Sequence, residues 1–370
     1  MLQRYLKPQI ENDLQKKMVF VGGARQVGKT TLAKDILKQT QGYLNWDIAE
    51  HREKILQREL PPANLLVFDE VHKYRSWRNY LKGLYDSGPA DRKILVTGSA
   101  RLDYYRFGGD SLQGRYHYLR LFPLTFAELQ MNSSGQLLEL LQLGGFPEPF
   151  FSSSQIESRR WSREYRKRLI EEDLQALERV QDIGNLELLM LRLPELVGSP
   201  LSINALREDL QVSHKTVANW LRIMERLYAI FRLAPFGAPK IRAVKKEQKH
   251  YHYDWTLIKD QGLRFENMVA MHLLKWVSFL EDTQGRDVEL LYFRDIDGRE
   301  VDFVVMEEKQ PMMFIECKWN DAIPGKGLRY LKVRFPDCDA WQIAAVGSKD
   351  FVTPQGIRVC PAATFLSKFV

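Results

Sequence analysis

The stretch from Phe20 to Thr31 constrains the fold of this chain most, because it passes from apolar residues into glycine and closes on Gly28-Lys29-Thr30. A bound triphosphate needs oriented N–H donors, a flexible cation and a hydroxyl group for magnesium, and this stretch offers all three. Its glycines let the backbone wrap without Cβ clashes, and a helix that starts near Gly28 adds the positive end of its dipole. We therefore predict an ATP-binding loop; the alternative is a glycine-rich turn that binds nothing. The predicted loop residues are Gly23, Ala24, Arg25, Gln26, Val27, Gly28, Lys29, Thr30 and Thr31.

Two loop residues and two carboxylates have predicted chemical roles. Lys29 would reach the β- and γ-phosphates and take part in catalysis, and Thr30 would ligate Mg²⁺. The apolar strand Leu65–Asp69 ends in the carboxylates of Asp69 and Glu70. At the carboxyl edge of a parallel sheet, Asp69 would hold the magnesium, usually through water, and Glu70 would orient or deprotonate the attacking water. A strand that ends in a solvated acidic turn is the alternative.

Strand-like and helix-like segments alternate after the loop, which predicts an α/β fold with a parallel sheet and helices on both faces. The predicted strands are Tyr43–Asp47, Leu65–Asp69, Lys93–Thr97 and Tyr116–Leu121. Thr97 or Ser99 would sense the γ-phosphate if their strand lies between the loop strand and the acidic strand; a plain turn is the alternative. Arg115 could stabilise transition-state charge in a neighbouring subunit's site if the protein forms rings, with Arg101 as the rival.

Length and charge limit the classes of protein that fit. A chain of 370 residues is longer than a single hydrophobic core usually supports, so two to four domains are expected. A net charge of +7 permits nucleic-acid binding but is not diagnostic of it. No apolar run reaches membrane-spanning length and the first residues lack the core of a signal peptide, so we expect a cytoplasmic protein with no membrane segment. Three widely spaced cysteines argue against a disulfide framework and give no zinc spacing.

The segment from Ser202 to Tyr228 predicts two helices joined by a short turn. Ser202 would cap the helix Ile203–Leu210, and Ser213 would cap a longer helix whose apolar residues recur at helical spacing. Such a helix-turn-helix makes its base and phosphate contacts from the start and outer face of the second helix. The polar residues at those positions are His214, Lys215, Thr216 and Asn219.

Two strands after these helices, Ile230–Phe236 and Tyr251–Tyr253, would form the wing of a winged helix. Basic residues between them favour phosphate contact, namely Lys240, Arg242, Lys245, Lys246 and Lys249. Winged helices also serve as protein docking and oligomerisation pieces, so DNA and a protein partner both stay open. An arginine-rich helix near residues 159–168 is either a solvated lid helix or a surface that faces nucleic acid.

The last part of the chain places carboxylates beside a lysine. Glu266 lies on the predicted helix Leu263–Leu280 and borders an apolar face, where an unpaired charge invites a partner or a metal. By strand parity Glu316 and Lys318 share one face of a strand, and Asp302 can meet them from the neighbouring strand. Such a set holds Mg²⁺ or Mn²⁺ and activates a water for phosphodiester cleavage. We therefore predict metal ligands at Glu266, Asp302 and Glu316 and a catalytic lysine at Lys318; the alternative is a domain that only holds nucleic acid or partners.

Five motifs follow one another as in a prokaryotic AAA+ ATPase family, which the chain resembles over nearly its whole length. They are Gly23 to Leu32, Phe68 to Lys73, Thr97 to Arg101, Leu112 to Arg115 and Phe122 to Leu129. The resemblance implies the AAA+ strand order, a helical lid after the core, and a C-terminal domain long described as of unknown function. Gln113 departs from the family, which more often has a small residue there, and this leaves the role of Arg115 open.

The C-terminal part is also similar to PD-(D/E)XK nucleases, at Glu266, Asp302, Glu316 and Lys318 and in the order helix, three strands, helix and strand. Val301 stands where the motif's proline would be, although that proline is often absent from working members. The implied organisation is an AAA+ P-loop ATPase core (1–135), a helical lid (136–185), a winged helix-turn-helix (186–255) and a restriction-endonuclease-like domain (256–370).

Two functions are compatible with these motifs. In the first, a homo-oligomeric ATPase acts on DNA, and its nucleotide state positions the DNA for the nuclease-like domain. In the second, ATP with Mg²⁺ only sets whether the winged helix and a silent C-terminal domain engage DNA or a partner protein. Glu70 favours hydrolysis, and the carboxylate–lysine set favours a nuclease.

Overall fold

The computed structural model describes residues 2–38, 40–89, 91–98, 112–174, 182–237 and 248–370. The chain separates into two compact units: residues 1–123 with 226–228, and residues 124–225 with 229–370. The finer predicted boundaries at residues 135, 185 and 255 stay predictions. In the described stretches, no helix is long and apolar enough to cross a membrane.

The first unit is built on a five-stranded parallel sheet. Its elements are α1 (Lys7–Asp13), β1 (Met18–Gly23), α2 (Lys29–Leu37), β2 (Tyr43–Asn45), α3 (Ala49–Gln57), β3 (Leu65–Asp69), α4 (Trp77–Ser87), β4 (Lys93–Thr97) and β5 (Tyr116–Leu121). The strand order is β2-β3-β4-β1-β5, so β4 lies between the loop strand and the acidic strand. The predicted α/β fold with a parallel sheet is confirmed.

Burial explains why β1 leads into the loop. All six residues of Met18–Gly23 are buried, as expected for a central strand of a sheet covered on both faces. Phe20 stacks on Tyr116 of the neighbouring strand at 4.3 Å between ring centroids. The predicted strand Tyr43–Asp47 is two residues too long, because the Asp47 N–H donates to the side chain of Asn45 at 2.8 Å and turns the chain there.

The second unit contains helices followed by two sheets. Its elements are α5 (Ser134–Leu143), α6 (Pro147–Phe151), α7 (Gln155–Arg168), α8 (Ile183–Arg192), α9 (Ile203–Leu210), α10 (His214–Arg226), β6 (Ile230–Leu233), β7 (Lys249–His252), α11 (Gln261–Gln284), β8 (Val288–Arg294), β9 (Glu300–Glu307), β10 (Gln310–Asn320), α12 (Lys326–Arg334), β11 (Asp339–Val346), β12 (Phe351–Val352), β13 (Ile357–Pro361) and α13 (Ala362–Leu366). A π-helical segment, Leu169–Leu174, follows α7.

The two predicted helix caps are confirmed. The Ser202 hydroxyl accepts a hydrogen bond from the Ala205 N–H at 3.3 Å, and the Ser213 hydroxyl accepts one from the Thr216 N–H at 3.0 Å. Each serine thereby satisfies an N–H that the first turn of a helix leaves without a partner. The predicted apolar face of the second helix is buried along α10.

Strands β6 and β7 pair antiparallel, but the first is shorter than predicted. Pro235 has no N–H to continue a ladder, and the backbone of Ala234 and Phe236 instead bonds to Tyr292 of β8, at 3.1 and 2.7 Å. The strand therefore ends at Leu233.

A six-stranded sheet in the order β12-β13-β11-β10-β9-β8 forms the C-terminal part. Strand β9 pairs antiparallel with both β8 and β10, and β11 pairs parallel with β10. The predicted order of helix, three strands, helix and strand is present. The turn between β9 and β10 lies at Glu308-Lys309, both with positive φ, and a bulge after Pro311 accommodates the proline within β10.

Candidate functional sites

The loop between β1 and α2 has the backbone geometry that its glycines predict. Gly23 has φ +137°, and a Cβ there would lie 2.3 Å from the carbonyl oxygen of Leu121, so only glycine fits. Gly28 has φ +98° and precedes the first turn of α2. The α2 N-terminus therefore points its backbone N–H groups into the loop, as phosphate binding requires.

Lys29 is buried and folds back over the loop. Its ammonium donates to the carbonyl oxygens of Gly23 at 3.0 Å and Ala24 at 2.6 Å. Arg4, which the motifs did not single out, is also buried here and donates to the carbonyl oxygens of Val27 and Phe122, each at 2.6 Å. These contacts fix the loop against its own unit.

Asp69 lies at the end of β3 and accepts hydrogen bonds from the two predicted neighbours. The Thr30 hydroxyl is 2.8 Å from Oδ2, and the Thr97 hydroxyl is 2.6 Å from Oδ1. The structure therefore brings together Thr30 and Asp69, although they are 39 residues apart in sequence.

Two further side chains from β2 converge on Asp69. The Tyr43 hydroxyl donates to Oδ2 at 2.6 Å, and the Asn45 amide lies 3.4 Å from the same oxygen. Burial and the Asp69 carboxylate raise the pKa of Tyr43, so this hydroxyl stays a donor. Sequence reasoning missed both residues. They could have been found only from the rule that a parallel strand beside β3 ends at the same edge of the sheet as Asp69.

Glu70 follows Asp69 with φ +57°, an uncommon conformation for a residue other than glycine. Its N–H donates to the Thr97 carbonyl at 2.9 Å, and its carboxylate lies 3.4 Å from the Lys73 ammonium. Burial raises the pKa of Glu70 in spite of the opposing charges of Lys73 and Lys29. A half-buried carboxylate with a raised pKa accepts a proton more readily, which suits a general base.

The predicted arginine and sensor residues have mixed outcomes. Thr97 contacts Asp69 directly, whereas Ser99 and Arg101 lie outside the described residues. Arg115 is held by Asp86 of its own chain, with Nε at 2.7 Å and Nη2 at 3.0 Å from the carboxylate oxygens. A role for Arg115 in a neighbouring site would require the exchange of this ion pair.

The proposed DNA-contact residues also differ in position. His214 and Lys215 are exposed at the start of α10, and Thr216 and Asn219 are partly buried. The position predicted for Lys249 is wrong. This lysine lies in β7 rather than in the loop before it, and it is fully buried. The other basic residues of that loop, at positions 240, 242, 245 and 246, lie outside the described residues.

Glu316 and Lys318 share one face of β10, as strand parity predicts. The Lys318 ammonium is 2.7 Å from Glu316 Oε1, and the Gly325 N–H donates to Glu316 Oε2 at 3.2 Å. A Cβ on Gly325 would lie 2.4 Å from the same carboxylate, so a larger residue there would displace the Glu316 side chain. Asp302 is within the sheet and accepts a hydrogen bond from the Cys317 N–H at 2.7 Å.

Glu266 faces a different set of partners. Its Oε1 accepts a hydrogen bond from the Tyr251 hydroxyl at 2.8 Å and lies 3.5 Å from the Lys249 ammonium. Burial raises the pKa of Glu266 and that of Asp302, and the proximity of Glu266 raises the pKa of Asp302 further. Across the described residues, no three His, Cys, Asp or Glu side chains are arranged to hold a metal ion. The metal role of Glu266, Asp302 and Glu316 therefore stays a prediction.

Comparison with known proteins gives three matching families. Residues 15–130 match an AAA domain, residues 134–263 match Domain of unknown function (DUF8612), and residues 261–365 match Domain of unknown function (DUF4143). An uncharacterized protein of Methanocaldococcus jannaschii is 23% identical over 85% of this chain and 78% of its own length. An uncharacterized protein of Mycobacterium tuberculosis is 24% identical over 86% of this chain and 76% of its own.

Among solved structures, the Walker-type ATPase PABY2304 of Pyrococcus abyssi aligns over 71% of this chain and 96% of its own, with 16% identity and a TM-score of 0.43. That similarity is too low to transfer any property. The AAA match covers the loop, Asp69 and Glu70, whose geometry is described above. The first unit of this chain therefore contains a P-loop ATPase domain of the AAA class.

Proposed function

We propose that this protein hydrolyses ATP with magnesium at its phosphate-binding loop and that its nucleotide state controls its binding to DNA. The contact between the Thr30 hydroxyl and the Asp69 carboxylate carries the proposal. It joins the two expected magnesium ligands at the carboxyl edge of a parallel sheet, which is where ligands of such sheets bind.

Thr30 and Asp69 fit a magnesium ion that arrives with ATP, since a hydroxyl and a carboxylate are the oxygen donors such an ion prefers. Bound with ATP, the ion would neutralise charge on the phosphates. Lys29 would exchange the carbonyl oxygens of Gly23 and Ala24 for phosphate oxygens, because a bond between two charged groups is stronger. Glu70 would orient the attacking water and accept its proton.

The N-terminal end of α10 is the part proposed to contact DNA. Its buried face packs inward through Val217, Trp220 and Leu221, while His214 and Lys215 stay exposed at the first turn. An exposed polar first turn on the second of two helices matches the geometry with which such helices enter a major groove. The arginine-rich helix α7 is the weaker candidate, because Arg160 and Arg168 already pair with glutamates of the same helix.

The C-terminal sheet supports a PD-(D/E)XK-like fold through its element order and through the parallel pairing of β10 with β11. The carboxylates that are expected to hold a metal there bond to protein donors in this structure. This favours the second function, in which the C-terminal domain binds DNA or a partner protein without cutting DNA.

DNA affinity measured by fluorescence anisotropy with no nucleotide, with ADP and with a non-hydrolysable ATP analogue tests the coupling. We expect the affinity to differ at least about fivefold between nucleotide states, the lower end of ordinary allosteric coupling. Replacement of His214 and Lys215 by alanine should weaken binding in every state by about tenfold or more.

The matched control replaces Arg159 and Arg160 of α7 by alanine and should leave DNA affinity nearly unchanged. Equal affinity in all three nucleotide states would contradict the proposed coupling. A loss of affinity in the α7 variant alone would move the DNA-contact surface to that helix.

A further inference from the structure

The buried carboxylates of the C-terminal part surround a lysine side chain. Lys249 in β7 has no exposed surface, and its ammonium is 2.5 Å from Glu300 Oε1 and 3.5 Å from Glu266 Oε1. The same ammonium lies 5.5 Å from the centre of the Tyr292 ring, whose face attracts a cation. A buried ammonium at these distances from two carboxylates forms ion pairs with them.

The ammonium and a divalent cation would compete for the carboxylate of Glu266. Glu266 is one of the three residues expected to bind a metal, and its Oε1 lies 3.5 Å from the Lys249 ammonium. The Glu266 oxygen nearest to Lys249 also accepts the Tyr251 hydroxyl. A magnesium ion needs its oxygens at about 2.1 Å, so it could bind this oxygen only if the Lys249 ammonium moved away.

The third expected ligand is engaged separately. Glu316 pairs with Lys318 at 2.7 Å and accepts the Gly325 N–H. Each carboxylate of the expected metal set thus has a protein donor: Glu266 has Lys249 and Tyr251, Asp302 has the Cys317 N–H, and Glu316 has Lys318.

We propose that Lys249 is the resident cation of this cluster and takes the place that a divalent metal would occupy. The lysine also links β7 to α11 through Glu266 and to β9 through Glu300. It therefore holds these elements together and neutralises the charge of the carboxylates. The C-terminal site consequently cannot load Mg²⁺ or Mn²⁺ while Lys249 is present. This inference is independent of ATP hydrolysis at the loop.

Mn²⁺ binding to the full chain without nucleotide, followed by electron paramagnetic resonance, tests the proposal. The wild type and Glu266→Gln should bind the same amount of Mn²⁺, because Glu266 holds no metal in either. Lys249→Ala and the longer Lys249→Gln should each gain about one equivalent of Mn²⁺, and Glu266→Gln added to either should remove it. Mn²⁺ should also raise the thermal midpoint of the Lys249 variants.

Lys275→Met is the matched control. Lys275 is the other fully buried lysine of the described residues, and it pairs with Glu128 at 2.5 Å. Its replacement also removes a lysine partner from a buried carboxylate but should gain no Mn²⁺, because Glu128 by itself supplies too few oxygens for the ion.

Two results would overturn the proposal. A wild-type protein that loses about one equivalent of Mn²⁺ on Glu266→Gln would show that the cluster binds metal with Lys249 in place; this comparison needs no Lys249 variant to fold. Folded Lys249 variants that bind no more Mn²⁺ than Lys275→Met would show that Lys249 does not occupy a cation position.

Discussion

At the scale of single residues, Asp69 is the most constrained group of the nucleotide site. Thr30, Thr97 and Tyr43 hydroxyls all donate to it, and the Asn45 amide is near. A carboxylate with its oxygens fixed in this way needs little reorganisation to meet a cation. Motif reasoning missed the Tyr43 contact, which makes Tyr43 an informative position to change.

Tyr43→Phe removes one donor from Asp69 without changing the volume of the side chain. A lost hydrogen bond to a charged group corresponds to about 1.5 kcal/mol or more, so we expect the Mg²⁺ concentration for half-maximal ATP turnover to change about tenfold. Turnover measured against Mg²⁺ concentration gives this value directly.

Tyr85→Phe is the control, since the Tyr85 hydroxyl makes only a long contact of 3.4 Å to the Lys16 carbonyl. An unchanged Mg²⁺ dependence in Tyr43→Phe would mean that Tyr43 does not orient Asp69 in the active state.

Motifs predicted Lys29, Thr30, Asp69 and Glu70 because each has a fixed spacing or follows a recognisable strand. Tyr43 was not predictable in this way, because its proximity depends on the pairing of β2 with β3. The burial of Lys249 was missed for a related reason. A lysine next to a basic run is typical of a solvated loop, and only the sheet partners of β7 place it among carboxylates.

At the scale of elements, local signals predicted helices better than strand ends. Ser202 and Ser213 and the spacing of apolar residues were sufficient for α9 and α10, because caps and helical periodicity act within one segment. The end of β6 was not predictable, because it depends on the hydrogen bonds of Ala234 and Phe236 to a strand far along the chain.

Helix α11 contains a buried histidine that should make stability depend on pH. His272 Nε2 accepts the Phe126 N–H at 2.9 Å, so Nδ1 carries the proton and donates to the Met268 carbonyl at 2.7 Å. Burial lowers the pKa of His272 to about 3. In the unfolded chain this histidine has an ordinary pKa of about 6.5, so it binds a proton as the pH falls, whereas in the folded chain it stays neutral. This stabilisation is complete above about pH 6.5 and is lost as the pH falls from there toward about 3.

His272→Gln should therefore reduce the pH dependence of the free energy of unfolding. Between about pH 7.5 and pH 5.5, we expect the wild type to lose about 1.4 kcal/mol more than the variant. Urea denaturation at the two pH values measures this difference. His214→Gln removes an exposed histidine and should behave as the wild type. A variant that keeps the whole wild-type dependence would contradict the assignment to His272.

At the scale of the whole molecule, the two units have different proposed functions. The first contains the P-loop ATPase domain, and the second contains the helices proposed to contact DNA and the sheet whose carboxylates Lys249 neutralises. The proposed nucleotide switch depends on ATP hydrolysis at the loop, because hydrolysis converts the ATP-bound state into the ADP-bound state.

ATP turnover with Mg²⁺ in wild type and in Glu70→Gln, with ATP affinity measured on the same samples, tests whether the loop hydrolyses ATP with Glu70 as the base. We expect Glu70→Gln to bind ATP with nearly wild-type affinity but to hydrolyse it about 100-fold or more slowly, because the amide cannot accept the proton of the attacking water. Lys29→Ala serves as the reference that loses ATP binding itself. Hydrolysis by Glu70→Gln at the wild-type rate would contradict the assignment of Glu70 as the base and, with it, the proposed mechanism.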